Sequence, residues 1–171
     1  GMDVTFVAVA LNTTPIVIMG NVSKMEELKG KSIGVTRYGS NTDISARFAI
    51  QKAGLQPEKD VALIQLEEYA NILGGMQSGR VAAGSLADPF TEAAKKLGFK
   101  EIADIAKMGL EFPFVGIAAK KSYIKDHTDT VQRFVRAWQM GCSDYHVAFN
   151  TRDGQGRPIQ GPGWAENLAI V

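Results

Sequence analysis

Two kinds of hydrophobic patterning divide the chain. Val4–Leu11 (VTFVAVAL) and Pro15–Met19 (PIVIM) are almost continuous apolar runs, separated by the short polar stretch Asn12-Thr13-Thr14. Such runs suit strands covered on both faces, and a proline is tolerated where a strand begins. Similar short runs predict strands over Ser32–Thr36, Val61–Leu66, Val81–Leu86 and Phe112–Ala119, with an edge strand at Ile102–Ile105. Between them, three- and four-residue spacing predicts helices over Ile44–Ala53, Glu67–Ser78 and Thr91–Leu97, closed by Gly54, Gly79 and Gly98. The alternation of strand and helix predicts an α/β fold with a mostly parallel sheet.

Individual helices carry more detail. Ser23 with Glu26 has the spacing of a capping box and predicts one helical turn ending at Gly30. On the 44–53 helix, Ala46, Ala49, Ile50 and Ala53 form one apolar stripe, and Ile44, Phe48 and Leu55 a second, which predicts a helix wedged between layers. Gly74-Gly75 weakens its helix by roughly 1 kcal/mol per glycine relative to alanine. The clearest helical pattern runs from Asp126 to Phe149, where Val131, Phe134, Val135, Trp138, Cys142, Tyr145 and Phe149 share one face and Asp126 or Thr128 would cap it. Thr151–Gly163 holds four Gly and two Pro among thirteen residues and has no period, and Trp164–Val171 reads as a short helix or a docked tail.

Composition narrows the function classes. The chain has 171 residues, enough for one domain or for one and a half small lobes. Nineteen basic against eighteen acidic residues leave a formal charge of +1, so nothing in the composition argues for nucleic acid. Two His and one Cys rule out a Cys/His metal cluster and an internal disulfide, and Cys142 is expected to be a small buried apolar residue. No apolar run approaches the ~20 residues of a membrane helix. The N-terminus has no signal-peptide pattern, and Gly1-Met2 reads as a vector-derived glycine ahead of a start methionine. His127 and His146 have no nucleophile or metal partner near them in sequence. No catalytic triad, paired carboxylates or phosphate loop is present, so the expectation is a protein that is not an enzyme, with no cofactor and no metal.

The stretch Leu28–Asp43 carries the most chemistry. A strand ends near Thr36, Gly39 supplies turn freedom, and Ser40, Asn41, Thr42 and Asp43 are residue types that cap a helix start. A helix N-terminus offers unpaired N–H groups and the positive end of a dipole, so this loop is either a capped turn or a cradle for an anionic or polar ligand. Arg37 and Tyr38 flank it, able to clamp a carboxylate or stack on a ring, or simply to sit in solvent.

The ordered motifs resemble one family. Leu28-Lys29-Gly30-Lys31 leads into Ile33-Gly34-Val35, then come Gly39-Ser40 with Asp43, Ala53-Gly54-Leu55 with Pro57, and Asp60-Val61. Met76-Gln77-Ser78-Gly79, Pro89-Phe90, Lys95–Phe99 and Ser122-Tyr123-Ile124 continue the series. Together they resemble the solute-binding proteins of ABC transporters of the nitrate/sulfonate/taurine and thiamine-precursor type, over about Asp3 to Asn150. The resemblance implies a type II periplasmic-binding fold, with one complete α/β lobe plus part of a second. It places 3–25 in lobe one, 26–110 in lobe two and 111–150 as a hinge strand and helix returning to lobe one, with 151–171 an irregular tail. It implies a small polar or anionic organic ligand (a sulfonate, nitrate, aromatic acid or pyrimidine), contacted by Ser40, Asn41, Thr42, Asp88, Thr13 and Thr14. Asp88 also fits an ordinary Asp-Pro turn, and Asp43 would favour a neutral or amine-bearing ligand over an anion docked close by. A membrane permease is the implied partner, a homodimer is expected to cover the incomplete lobe, and the location is extracytoplasmic if the protein is exported. An effector-binding regulatory domain and a pyrimidine-forming enzyme of the thiamine pathway are the alternatives; one lone cysteine argues against the enzyme. Val81-Ala82-Ala83 departs from the family's Val-Asp-Ala, the first half of lobe one is missing ahead of residue 3, and the tail has no counterpart.

Overall fold

A computed structural model describes residues 3–169; Gly1-Met2 and the last two residues of the predicted Trp164–Val171 element lie outside the described residues. The chain divides into two compact units, one spanning Val9–Val115 and the other joining the described residues up to Ala8 with those from Gly116 onward.

The first unit is built on a five-stranded sheet. Its strands are β2 (Val17–Gly20), β3 (Ser32–Val35), β4 (Ala62–Gln65), β5 (Ala83–Leu86) and β6 (Lys100–Asp104), in the order β4-β3-β5-β2-β6. β3 runs parallel to β4 and β5, whereas β2 is antiparallel to both β5 and β6. β6, which follows β5 through the helix Phe90–Lys96, therefore runs parallel to β5: β3, β4, β5 and β6 all point one way, as the alternation of strand and helix predicts, and β2 alone enters from the opposite direction. The sequence reading put 3–25 in a separate lobe, but β2 lies in the interior of this sheet. Its side chains are fully buried at Ile18 and Met19, which is what its continuous apolar run requires.

Period-two alternation splits the core across the two sheet faces. Ile16, Ile18, Ile33, Val35, Leu63 and Ala83 join one cluster with Ala46, Ala49 and Ile50 of α1 (Asn41–Lys52). Met19, Val81 and Leu86 join the other with Ile72 and Met76 of α2 (Tyr69–Gln77) and Ala94 of α3 (Phe90–Lys96). Gly34 and Gly84 are register partners on the α2 side. A Cβ on Gly84 would lie 2.5 Å from Ile72 Cγ2 and 2.6 Å from Met76 Sδ, so the bare strand surface is what lets α2 approach. Of the two stripes predicted for α1, the first is the more deeply buried; on the second, Phe48 and Leu55 pack half-buried against the same core while Ile44 is exposed. Ser23 and Glu26 form no capping box: Met25–Leu28 is a 3-10 turn whose N-cap is Lys24, without a side-chain cap bond.

β1 (Val4–Thr13) pairs with β7 (Glu111–Lys120) as a two-stranded sheet, and each strand contributes residues to both units. Burial on both faces was expected for β1, yet Val4, Phe6 and Val9 stand exposed, because a two-stranded ribbon has no layer to cover each face. The second unit contains α4 (Lys121–Asp126), α5 (Thr128–Asn150) and α6 (Trp164–Leu168). α5 follows its predicted period, but only Ala148 is buried, and neither Asp126 nor Thr128 caps it. Cys142 is consequently exposed rather than buried. Among the described residues no helix is long and apolar enough to cross a membrane.

Candidate functional site

The loop between β3 and α1 lies at a topological switch point. From β3 the chain passes through α1 to β4 on one side, and from β4 through α2 to β5 on the other. The two helices lie on opposite sheet faces, which leaves a crevice at the carboxyl ends of β3 and β5, where open α/β sheets bind ligands. Gly39 turns the chain at φ 77° and Ser40 takes the N-cap position in extended conformation. Ile44 N–H donates to the Ser40 carbonyl at 2.9 Å. No side-chain bond caps the helix start, so the first N–H groups of α1 have no side-chain acceptor.

The Ser40 and Thr42 hydroxyls are engaged with one another instead. Thr36 Oγ1, Ser40 Oγ and Thr42 Oγ1 form a triangle with sides of 3.0, 2.8 and 2.8 Å. Thr36 N–H donates to Thr42 Oγ1 at 2.9 Å, and Ser40 Oγ donates to the Arg37 carbonyl at 2.7 Å. Beneath them, the fully buried Ser85 hydroxyl donates to the Thr42 carbonyl at 2.9 Å. Three hydroxyls that share protons can rotate to present either a donor or an acceptor, so the cluster suits a polar ligand of either sense.

A second network fixes the turn. The buried Asp43 carboxylate accepts from Gly39 N–H at 2.8 Å and from Arg47 Nε at 2.9 Å. Arg47 also donates to Glu58 at 2.8 Å, and Glu58 in turn accepts from Leu63 N–H at 3.4 Å. Asp43 and Glu58 hold the Arg47 guanidinium above its usual pKa, the hydrogen bond that Arg47 donates to Asp43 being the largest cause. Tyr38 closes the ring from the other side: its hydroxyl donates to the Leu63 carbonyl at 3.0 Å, and its N–H donates to Gln65 at 3.2 Å. Both routes end on the peptide groups of Leu63. Tyr38 is thus engaged with β4 through its hydroxyl, while its side chain remains exposed.

The other predicted residues gather at the same end of the sheet. Val17 pairs with Leu86, so Thr13 and Thr14, just before β2, and Asp88, just after β5, share an edge with Thr36–Thr42. Thr13 Oγ1 donates weakly to the Leu110 carbonyl at 3.4 Å. Thr14 is fully buried, and its hydroxyl has no partner among the described residues. Asp88 is exposed and accepts from the Thr91 hydroxyl, an interaction that secures the start of α3. Asn41 is partly buried and Arg37 is exposed.

Sequence reasoning missed Thr36, Ser85 and Arg47. A signal existed for Ser85, since a lone hydroxyl in the all-small strand Ala83–Leu86 must find a buried partner. Among the described residues no cluster of His, Cys, Asp and Glu could hold a metal.

Residues 12–151 match the model of the NMT1-like family. The chain belongs to that family. The chain is also similar to YtlA of Bacillus subtilis strain 168, named as a candidate binding protein. It is 31% identical over 113 residues, which are 66% of this chain and 34% of that one. Among solved structures, the periplasmic aliphatic sulphonate-binding protein SsuA of Escherichia coli superposes with a TM-score of 0.65 at 22% identity, covering 80% of this chain and 47% of that chain. The alkanesulfonate-binding SsuA of Xanthomonas axonopodis pv. citri, bound to MOPS, gives 0.66 at 21% identity, covering 85% and 50%. This NMT1-like chain therefore has the fold of periplasmic binding proteins and spans about half the length of those structures and about a third of the Bacillus relative.

Proposed function

We propose that this NMT1-like chain is part of the solute-binding component of an ABC import system, with the unit 9–115 forming one jaw of a two-lobed clamp. It binds a small polar or anionic organic solute at the carboxyl edge of the sheet, releases it to a membrane permease, works outside the cytoplasm and catalyses no reaction. The observation that carries this reading is the N-terminus of α1, uncapped by any side chain and set at the switch point beside the Thr36–Ser40–Thr42 triangle. Ser40, Asn41 and Thr42 supply the first contacts, with Thr13, Thr14, Asp88 and Arg37 around them; Tyr38 braces the loop. The binding-protein names of the relatives and the shared fold support the same reading. A ligand drives closure only through its greater affinity for the closed state.

Isothermal titration calorimetry with a panel of sulfonates, nitrate, aromatic acids and pyrimidines tests it. At least one solute should bind, and Ser40→Ala/Thr42→Val should weaken that solute about tenfold or more, the loss of one to two hydrogen bonds to a polar ligand. Turnover of any solute, or binding indifferent to both substitutions, would overturn the proposal.

A further inference from the structure

A groove of about 440 Å³ opens next to the hydroxyl triangle, lined by Thr36, Glu67, Glu68, Tyr69, Ala70 and Phe90. One wall is an aromatic pair, Tyr69 and Phe90, with ring centroids 5.6 Å apart and planes tilted by 32°. Glu67 and Glu68 are exposed, and neither takes part in an ion pair among the described residues. None of the six lining residues is basic. The start of α2 contributes roughly half a positive charge, which two full carboxylates outweigh. Aromatic faces carry the negative lobe of the ring quadrupole and attract cations. An anion entering the groove would therefore meet unfavourable charge from rings and carboxylates alike, and a cation would meet attraction from both.

Thr36 belongs to both places. Its hydroxyl is a corner of the triangle at the α1 N-terminus, 2.8 Å from Thr42 Oγ1, and the same residue lines the groove. The hydrogen-bonding end and the aromatic–acidic end thus meet at one residue. Resting on the reading of this edge as a ligand site, we propose that the groove receives an ammonium-bearing part of the solute, seated against Tyr69 and Phe90 and neutralised by Glu67 and Glu68. The solute class is then a ring or short-chain organic molecule carrying a cationic amine together with a polar or anionic group, and a simple anion is a poor ligand. Burial holds the Tyr69 phenol above its usual pKa, so it stays neutral beside the carboxylates.

Calorimetry on the full chain with three ring probes decides this: benzenesulfonate, benzylammonium and para-aminomethylbenzenesulfonate. The last should bind about tenfold or more tightly than benzenesulfonate, one well-placed charge and its aromatic contact being worth that factor. Glu67→Gln/Glu68→Gln should abolish that preference. Because the preference is a ratio taken within each variant, a general loss of stability does not mimic the effect. Ser40→Ala/Thr42→Val should weaken both sulfonates about tenfold or more, the loss of one to two hydrogen bonds to the sulfonate group. Equal binding of the two sulfonates, or a preference that survives in the double glutamine variant, overturns the groove assignment and leaves the α1 reading intact. Sulfonates insensitive to Ser40→Ala/Thr42→Val overturn the α1 reading instead, and no binding of any probe overturns both.

Discussion

Replacing Arg47 by Met removes a guanidinium that joins two carboxylates while preserving most of the side chain's length. Asp43 keeps its bond from Gly39 N–H but loses Arg47 Nε, and Glu58 loses its 2.8 Å partner. The two losses are unequal. The Asp43 side chain is 5% exposed, so its charge is left buried with one donor, whereas the Glu58 side chain is 50% exposed and rehydrates. Removing one partner of a fully buried pair costs about 3–5 kcal/mol. Because Arg47 itself is one-third exposed, the expected cost here is lower, about 2 kcal/mol, in the range for a charge-assisted hydrogen bond. For a chain of this size that lowers Tm by roughly 4–8 °C. Glu58→Gln, which weakens the exposed pair and the long bond from Leu63 N–H, should cost under about 1 kcal/mol. Arg47→Met/Asp43→Asn should recover much of the loss, because no uncompensated buried charge remains. Differential scanning calorimetry gives the Tm values, and amide hydrogen exchange at Gly39 reports whether the turn has loosened. An Arg47→Met protein that melts with the wild type and protects Gly39 equally would refute the bracing role assigned to this network.

Further outcomes follow from the packing and charge of the same unit. Gly84→Ala should destabilise by about 1–3 kcal/mol, because the new methyl meets the stem of Ile72 and not merely a flexible tip. Gly74→Ala, where a Cβ meets nothing within 4 Å, should instead stabilise α2 by up to about 1 kcal/mol, and a pair of thermal melts checks both. Asp104 is held below the usual carboxylate pKa, first by its hydrogen bond from Lys107. A depressed folded-state pKa gives stability that is present above the unfolded value of about 4 and lost as pH falls through the folded value. The Tm advantage of the wild type over Asp104→Asn should therefore shrink in melts taken below about pH 4, and an advantage that grows there would contradict the assignment.

Much of the fold was legible because its signals are local. The runs at Pro15–Met19, Ser32–Thr36 and Val61–Leu66 each became strands, and Gly54, Gly79 and Gly98 each closed a helix at positive φ. Strand direction was less legible: an apolar run has the same composition whichever way it enters a sheet, so β2 read as one more parallel strand. Burial of amphipathic elements was also hidden. The stripe on α5 and the run in β1 state that a face wants covering, not that the described chain covers it, which is why Phe134, Tyr145 and Phe6 stand exposed. At the candidate site, Ser40 and Thr42 were visible as capping types, but their hydroxyls bond to Thr36 and to each other instead of capping the helix. Arg47 and Glu58, eleven residues apart, meet only through the fold, and no local pattern announces them.

The central claim is that the start of α1 is a ligand-contacting edge, and amide-resolved NMR titration tests it most directly. Adding para-aminomethylbenzenesulfonate to the labelled chain should shift the backbone amides of Asn41, Thr42 and Asp43 first, with Thr36 and Tyr69 moving at the same ligand concentration. Shifts confined to other parts of the chain, or saturating binding with those five amides unmoved, would contradict it.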